Sequence, residues 1–389
     1  MANKFSNALI TNANWSAEVE KSCQTLIEDI VVSPDIVIVF VSPHFADEFQ
    51  EIADAIQETL QPINMIGCVG DSIVSGDREI EGDPAITIWA AALPDTKIET
   101  SYLFLERVPD GGFISGTEEL SLEQITALAE SALIVLGEPF SFPPNLLLSQ
   151  LAADYPELRV LGGVASGFQQ PAKNLVLVNG TVYCEGAAGL LIDGRVKVHS
   201  VVSQGCRPIG DRSVITKVER NLVLELGGKP AMQVLEEMFI RLPTSDKDLM
   251  SKGFFLGRVI SEYQDDYEMG DFLIRNVMGM DNERGAVVVN DYFQVGQTVQ
   301  FQVRDEESAS NELRQLLKKT EPAGVKGGLI FTCNGRGTRL FAEPDHDAGV
   351  IKEAVGEIPV AGFFAQGEIG PVGGENHIHG YTASVVLFE

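Results

Sequence analysis

One arrangement recurs three times along the chain and constrains its fold more than any other feature. It is an apolar strand, a loop, an amphipathic helix, a second short strand, and then a turn entered through glycine. The first copy is IVIVFV, the helix around Ile52 and INMIGCVGDS; the second is ALIVLG, the helix around Leu148 and LRVLGGVASG. The third is GLIFTC, the helix around Ile351 and IPVAGFFAQGEIG. Strand-helix-strand units of this kind favour parallel pairing in an α/β core. The stretches between them, such as LVLVNGTVYC, AAGLLID and VKVHSVVSQ, read as strands hinged on Asn-Gly or Asp-Gly turns, which need antiparallel neighbours. The expected fold class is α/β in the mixed α+β sense: mixed β-sheets flanked by amphipathic helices, two domains, and internal duplication.

Apolar spacing places one helix after Ser16, with Val19, Cys23, Leu26, Ile27 and Ile30 on one face, and another through Phe45, Phe49, Ile52, Ile56 and Leu60. Further helices are expected near Leu120 to Ala132, Asn145 to Tyr155, Pro230 to Arg241, Ser308 to Lys319 and Asp347 to Val355. The Gly-Pro cluster at Gly227 to Pro230 marks the expected boundary, giving domains 1–228 and 229–389. Ser261 to Gly270 is acidic and reads as a solvated loop.

Charge narrows the function. Against 28 Lys plus Arg stand 56 Asp plus Glu among 389 residues, a formal charge of -28. Neutralising phosphates needs clustered basic residues, so nucleic acid and anionic membranes are poor partners for this chain. Small polar or cationic ligands and proteins remain. The densest apolar runs, Ile36 to Val41 and Ala85 to Leu93, are far shorter than a membrane span, and the N-terminus lacks the pattern of a secretion signal, so a cytoplasmic address is expected. Five widely separated cysteines with no C-x-x-C read as reduced thiols.

Familiar chemical motifs fail. Gly162 to Gly167 has the glycine spacing of a phosphate loop but runs into Phe168, and the G-x-G begun at Gly335 and Gly337 has Leu340 where a third glycine belongs. Gly70-Asp71-Ser72 continues into Ile73 and Val74, which is no nucleophile elbow. His377 and His379 share a strand face, yet no spacing ties them to further ligands, and no metal or cofactor is expected. Cys68 and Cys333, each at a strand end, keep a cysteine-dependent hydrolase or transferase as one alternative. A constitutive scaffold with an acidic docking surface is another.

Polar groups at the glycine turns carry more information: Asp71 and Ser72, Asn334 and Arg336, Gln366 and Glu368. Turns at strand ends are where open α/β sheets bind ligands. An arginine fork suits a carboxylate and a glutamate accepts from an ammonium, so this set can hold a zwitterion. The competing reading is a structural ion pair between turns.

The segments IGCVGDSIV, LGGVASG, AAGLLIDGRVKVHSVVSQGCRPIGDRSVIT, LELGGKPAMQVL, FLIRNVMGMDNERGAVVVNDYFQVGQTVQFQVRD, GLIFTCNGRG and IPVAGFFAQGEIGPVGGENHIHGYTASVVLF together resemble the FIST family, a sensory module with N-terminal and C-terminal parts. The likeness covers nearly all of the chain. It implies binding of a small ligand, with amino acids and related metabolites as the proposed class, coupled to signal transduction, and no reaction. Family-like positions are Gly67, Cys68, Gly162, Gly163, Gly205, Gly210, Arg275, Asp281, Cys333, Arg336, Gly362, Gly367, Glu368, Gly370, His379 and Gly380. One departure stands out: the first turn reads DSIVSG where a small residue and glycine followed by Glu are expected. The expectation is a stand-alone sensor of a small polar metabolite that signals to a separate effector protein. Its ligand-binding candidates are Gly67, Cys68, Arg275, Cys333, Asn334, Arg336, Gln366, Gly367, Glu368 and His379.

Overall fold

The computed structural model describes residues 2–12, 14–109, 111–125, 127–194, 196–264, 266–320 and 324–389. They pack as two units, Met1–Val202 with Arg314–Glu389, and Ser203–Leu313. In chain order the first stretch contains β1 (Lys4–Ile10), α1 (Trp15–Ile30), β2 (Ile36–Val41), α2 (Phe49–Leu60), β3 (Asn64–Val69), β4 (Ser72–Ser75), β5 (Arg78–Glu81), β6 (Ile86–Ala92), β7 (Lys97–Val108) and β8 (Gly111–Ser115). It continues through β9 (Ala132–Gly137), α3 (Pro144–Asp154), β10 (Arg159–Val164), β11 (Val176–Val178), β12 (Thr181–Tyr183), β13 (Ala187–Asp193) and β14 (Val198–Ser203).

The second unit contains β15 (Cys206–Pro208), β16 (Ser213–Glu219), β17 (Leu222–Leu226), β18 (Lys229–Pro230), α4 (Ala231–Arg241), α5 (Thr244–Lys252), β19 (Phe255–Val259), β20 (Phe272–Asp281), β21 (Ala286–Val289) and β22 (Thr298–Arg304). The chain leaves it along α6 (Glu306–Lys319) and ends with β23 (Gly327–Cys333), α7 (His346–Val355), β24 (Val360–Ala365), β25 (Glu368–Val372), β26 (Glu375–His379) and β27 (Ala383–Phe388).

Three sheets of one plan build the first unit: β1-β6-β2-β3-β11-β12, β8-β7-β13-β9-β10-β25-β26 and β14-β27-β23-β24-β4-β5. At the centre of each lies the parallel pair expected from sequence, β2 with β3, β9 with β10, and β23 with β24. The first strand of each pair takes an antiparallel neighbour, β6, β13 or β27. The second takes a hairpin from a different copy. The β4–β5 hairpin, leaving copy one, pairs with β24; β11–β12, leaving copy two, pairs with β3; β25–β26, leaving copy three, pairs with β10. The exchange closes a cycle, so each sheet is completed by another copy's turn.

The buried faces of the sheets share one core. Ile38 and Phe40 from β2, Ile134 and Leu136 from β9, and Phe331 and Phe363 from β23 and β24 belong to a single apolar cluster. On the opposite face of the first sheet, α1 and α2 bury Val19, Cys23, Leu26, Phe49, Ile52 and Ile56. On the second, α3 buries Leu147, Leu148 and Leu151. At roughly 1.5–3 kcal/mol for each large apolar side chain removed from water, these layers supply the main driving force for folding.

The second unit is a barrel. Its strands run β22-β16-β17-β21-β20-β19, and β19 pairs back onto β22, closing the ring and removing two free edges. Its core draws Leu235, Met238 and Met250 from α4 and α5 against strand residues such as Val287, Val299 and Phe301. The Gly227–Pro230 cluster is the tight turn from β17 into β18, inside this unit.

The mixed α+β architecture expected from sequence is present. One expected helix is not. Instead of a helix over Leu120 to Ala132 there are three 3-10 turns, Thr117–Glu119, Leu122–Gln124 and Leu128–Glu130, with Thr126 outside the described residues. Leu120, Leu122 and Ile125 are all buried at spacings of two and three, so the segment is pinned by individual side chains rather than by one helical face. Ser261 to Gly270, apart from Asp265 outside the described residues, lacks helix and strand, and Tyr263 there is fully exposed.

Candidate functional site: the turn junction and its buried ion pair

The three glycine turns meet. Ser166 of the second turn, fully buried, donates its backbone N–H to Val69 O at 3.1 Å and accepts at Oγ from the Asp71 N–H at 2.8 Å, both in the first turn. Its hydroxyl donates to Phe364 O on β24. In the third turn, the Gln366 N–H reaches Val164 O at 3.0 Å, and Gly367 O accepts from the Val164 N–H at 2.8 Å. Asn334, following β23, donates its N–H to Ala365 O at 3.0 Å. One hydroxyl therefore hydrogen-bonds to segments of both other copies.

Beside this junction lies a buried polar cluster. Arg336, with no exposed surface, grips Asp347 through Nε at 2.7 Å and Nη2 at 2.8 Å. The Thr332 hydroxyl donates to Asp347 Oδ2 at 2.7 Å, and His346 Nδ1 sits 3.0 Å from Oδ1. Phe341 stacks on the His346 ring at 3.4 Å between centroids and lies under the guanidinium at 5.2 Å. The hairpin donated by copy one supplies the remaining member: Glu79 of β5 accepts the Ala348 N–H at 2.9 Å, in the first turn of α7. Asp345 accepts the Glu79 N–H at 2.6 Å, and Glu81 accepts the backbone N–H and hydroxyl of Thr338.

The carboxyls titrate apart. Burial disfavours the charge on Asp347, but the Arg336 guanidinium and its hydrogen bonds outweigh it and hold the group well below the usual carboxylate range. For Glu79, burial first and the facing Asp347 carboxylate second push the pKa up to about 8, from an ordinary 4.5. A raised folded-state pKa means that Glu79 contributes stability that is full below about pH 4.5 and lost as pH rises through 8. Between pH 5 and 8 the loss is about 1.4 kcal/mol per pH unit. Glu79→Gln keeps an acceptor for Ala348 and removes the titration. We expect its unfolding free energy, measured by urea titration, to fall less steeply with pH than wild type and to exceed it at pH 8. Parallel pH profiles would place the proton elsewhere.

The candidates named from sequence separate on this frame. Asn334, Gln366 and Gly367 lie in the junction, and Cys333 is the last residue of β23, its Sγ accepting the Gly335 N–H at 3.5 Å. Arg336 is engaged by Asp347. Glu368 is fully buried with Oε2 taking the Thr382 N–H at 3.0 Å, and His379 opposite it on β26 is 3.0 Å from Gly370 O through Nε2. Gly67 and Cys68 are buried within β3, and burial drives the Cys68 thiol well above its ordinary range, which keeps it from acting as a thiolate nucleophile. Arg275 belongs to the second unit and pairs with Asp291 at 2.5 Å. Groups of three or more potential metal ligands are absent among the described residues.

Sequence reasoning did not single out Asp347, Glu79, Thr332, Ser166 or Arg339. Arg339 lies at the solvent edge, donating from Nη1 to Asn334 O at 2.6 Å and facing Asp71 Oδ2 at 3.4 Å. Its neighbourhood was visible only as the polar residues following Gly335.

In the first unit, polar turns from three α/β copies meet at the ends of the parallel strand pairs. Family comparison finds that the FIST N domain matches residues 35–229 and the FIST C domain matches residues 231–371. The chain belongs to the FIST family, whose domains are sensory and associated with signal transduction and small-ligand binding. An uncharacterized protein of Mycobacterium tuberculosis (strain ATCC 25618 / H37Rv) is 39% identical over 359 residues, covering 92% of this chain and 91% of the relative. One of Mycobacterium bovis is 37% identical over 375 residues, covering 96% and 95%. No helix among the described residues is long and apolar enough to cross a membrane.

Proposed function

We propose that this protein senses an amino-acid-like or other small polar metabolite at the turn junction and reports its presence to a separate signalling protein. The observation that carries the reading is the contrast between a fully buried junction, bonded through Ser166 to all three copies, and its solvent-edge groups Asp71, Asn334, Arg339 and Gln366. Arg336 and Arg275 are the anion holders expected from sequence; Asp347 engages the first and Asp291 the second, and the fork assigned to a ligand carboxylate is Arg339. Asp71 then takes the ammonium. Their mutual contact at 3.4 Å, with side chains 60% and 29% exposed, is a solvent-screened pair worth roughly 0–1 kcal/mol that a zwitterion displaces at little cost. Occupancy tightens turns that belong to three sheets, and a change in their packing is what a partner reads. No reaction and no cofactor enter this reading.

The test is a thermal-shift series with the free amino acids. Binding at about 100 times Kd adds roughly 2.7 kcal/mol, enough to raise the wild-type midpoint by a degree or more. Arg339→Ala, an exposed change expected to cost less than about 0.5 kcal/mol, should abolish the rise. A flat wild-type series, or a rise that persists in the variant, would sink the assignment.

A further inference from the structure

A second place in the first unit leaves a buried polar atom and exposed aromatic surface side by side. It is a cavity of about 430 Å³ at the end of β9, lined by Glu138, Tyr102, Phe104, Arg107, Phe140 and Cys184 among others. Glu138 directly follows the last parallel-paired residue of β9, the place at which open sheets present groups to ligands. Its register equivalents in the other copies are Ser42 and Cys333. Glu138 has no exposed surface. Its Oε2 accepts three hydrogen bonds, from the Phe140 and Ser141 N–H groups at 2.8 Å and from the Ser141 hydroxyl at 2.7 Å. Its Oε1 is buried and has no hydrogen-bond partner among the described residues. The large majority of buried side-chain polar atoms in proteins have a hydrogen-bond partner, and this oxygen, like Glu79 Oε2, is an acceptor in need of a donor.

The wall beside it is aromatic. Tyr183 stacks on Tyr102 at 4.0 Å between centroids, and Tyr102 on Phe104 at 5.7 Å. Phe104 remains 40% exposed and Phe140 47% exposed. The wall is fixed to the carboxylate by a short chain of contacts: Ser141, held by Glu138, accepts the Gly186 N–H at 2.9 Å. Gly186 in turn packs so closely on Tyr102 that a Cβ would lie 2.7 Å from the ring, at a φ of +76° that also favours glycine. Aromatic faces beside a carboxylate are the surroundings that attract an organic cation.

We propose that this cavity binds a small organic amine, its ammonium donating to Glu138 Oε1 and its hydrocarbon part lying on Tyr102, Phe104 and Phe140. Arg107, exposed and without an ion pair to any described residue, places a positive charge in the lining and disfavours polyamines relative to a single amine. The site is independent of the turn-junction reading, and either can fail alone.

Cys184 gives a local readout, because it is exposed while Cys23, Cys68, Cys206 and Cys333 are buried. The probes are phenethylamine, 3-phenylpropionate and spermidine, scored by calorimetric Kd and by protection of Cys184 from iodoacetamide in intact-protein mass spectra. Phenethylamine should bind and protect; 3-phenylpropionate, which has the ring and an acid but no amine, should do neither, and spermidine should bind more weakly. Glu138→Gln, which keeps an acceptor for the loop amides, should weaken phenethylamine at least tenfold. Should that variant fail to fold, Phe104→Ala replaces it, with a several-fold loss expected. Equal binding of the acid and the amine, no protection of Cys184, or an unchanged Kd in a folded variant each overturns the proposal.

Discussion

Arg336→Ala is expected to destabilise the first unit by about 3–5 kcal/mol, the cost of leaving one member of a buried ion pair uncompensated. The side chains of Arg336 and Asp347 are 0% and 1% exposed, and the Thr332 hydroxyl and His346 converge on the same carboxylate. Asp347→Ala should cost as much, because it strands a guanidinium with no access to water. Replacing both by apolar residues, Arg336→Met with Asp347→Leu, should be far milder than the sum, since two buried charges are removed together. Urea unfolding of the two single variants and the double variant decides it. Additive losses would mean that the pair is not coupled, and a stable Arg336→Ala protein that loses amino-acid response would return Arg336 to the ligand. Asp347 also sets an acid limit: its lowered pKa gives stability that is present above the ordinary carboxylate range and lost as pH falls from that range through the lowered folded-state value, the opposite window from Glu79.

What could be read from sequence follows the range of the interaction that decides it. Parallel strand-helix-strand units were legible because apolar period and glycine position are local. The hinge of the β11–β12 hairpin was legible for the same reason, with Asn179 and Gly180 at φ of 45° and 82°. The cyclic exchange of hairpins was not, because nothing near Asp71 says that β4 pairs with β24, some 290 residues later, rather than with its own sheet. Arg336 was noticed as a polar residue after a strand, but its role depends on Asp347, which the intervening turn brings back, and on Glu79 from another copy's hairpin. Glu138 drew no notice because a glutamate after a strand is ordinarily solvated; only the Phe140–Ser141 loop folding over Oε2 makes it a buried group.

The glycines illustrate the same point in reverse, since a feature read as ligand access has a packing cause. Gly67, Gly162 and Gly362 occupy one register position in the three copies, opposite Val39, Val135 and Ile330 on the neighbouring parallel strand. A Cβ at these positions would lie 2.2, 2.0 and 2.0 Å from the carbonyl oxygens of those same partners. The obstacle is backbone in the middle of a sheet, so no side-chain rotation relieves it, and the strands must separate. Gly67→Ala, Gly162→Ala and Gly362→Ala are each expected to cost about 3 kcal/mol or more, with Gly162 additionally strained by its φ of +139°. Gly356→Ala is a control for loss of glycine alone: its φ is +85° and no atom lies within 4 Å of the added carbon, so only backbone strain of about 1 kcal/mol is expected. If the three sheet variants unfold no earlier in urea than Gly356→Ala, the glycines are not packing residues. If they unfold much earlier, the threefold glycine pattern that first marked the sequence records the need of each parallel pair for one position without a side chain.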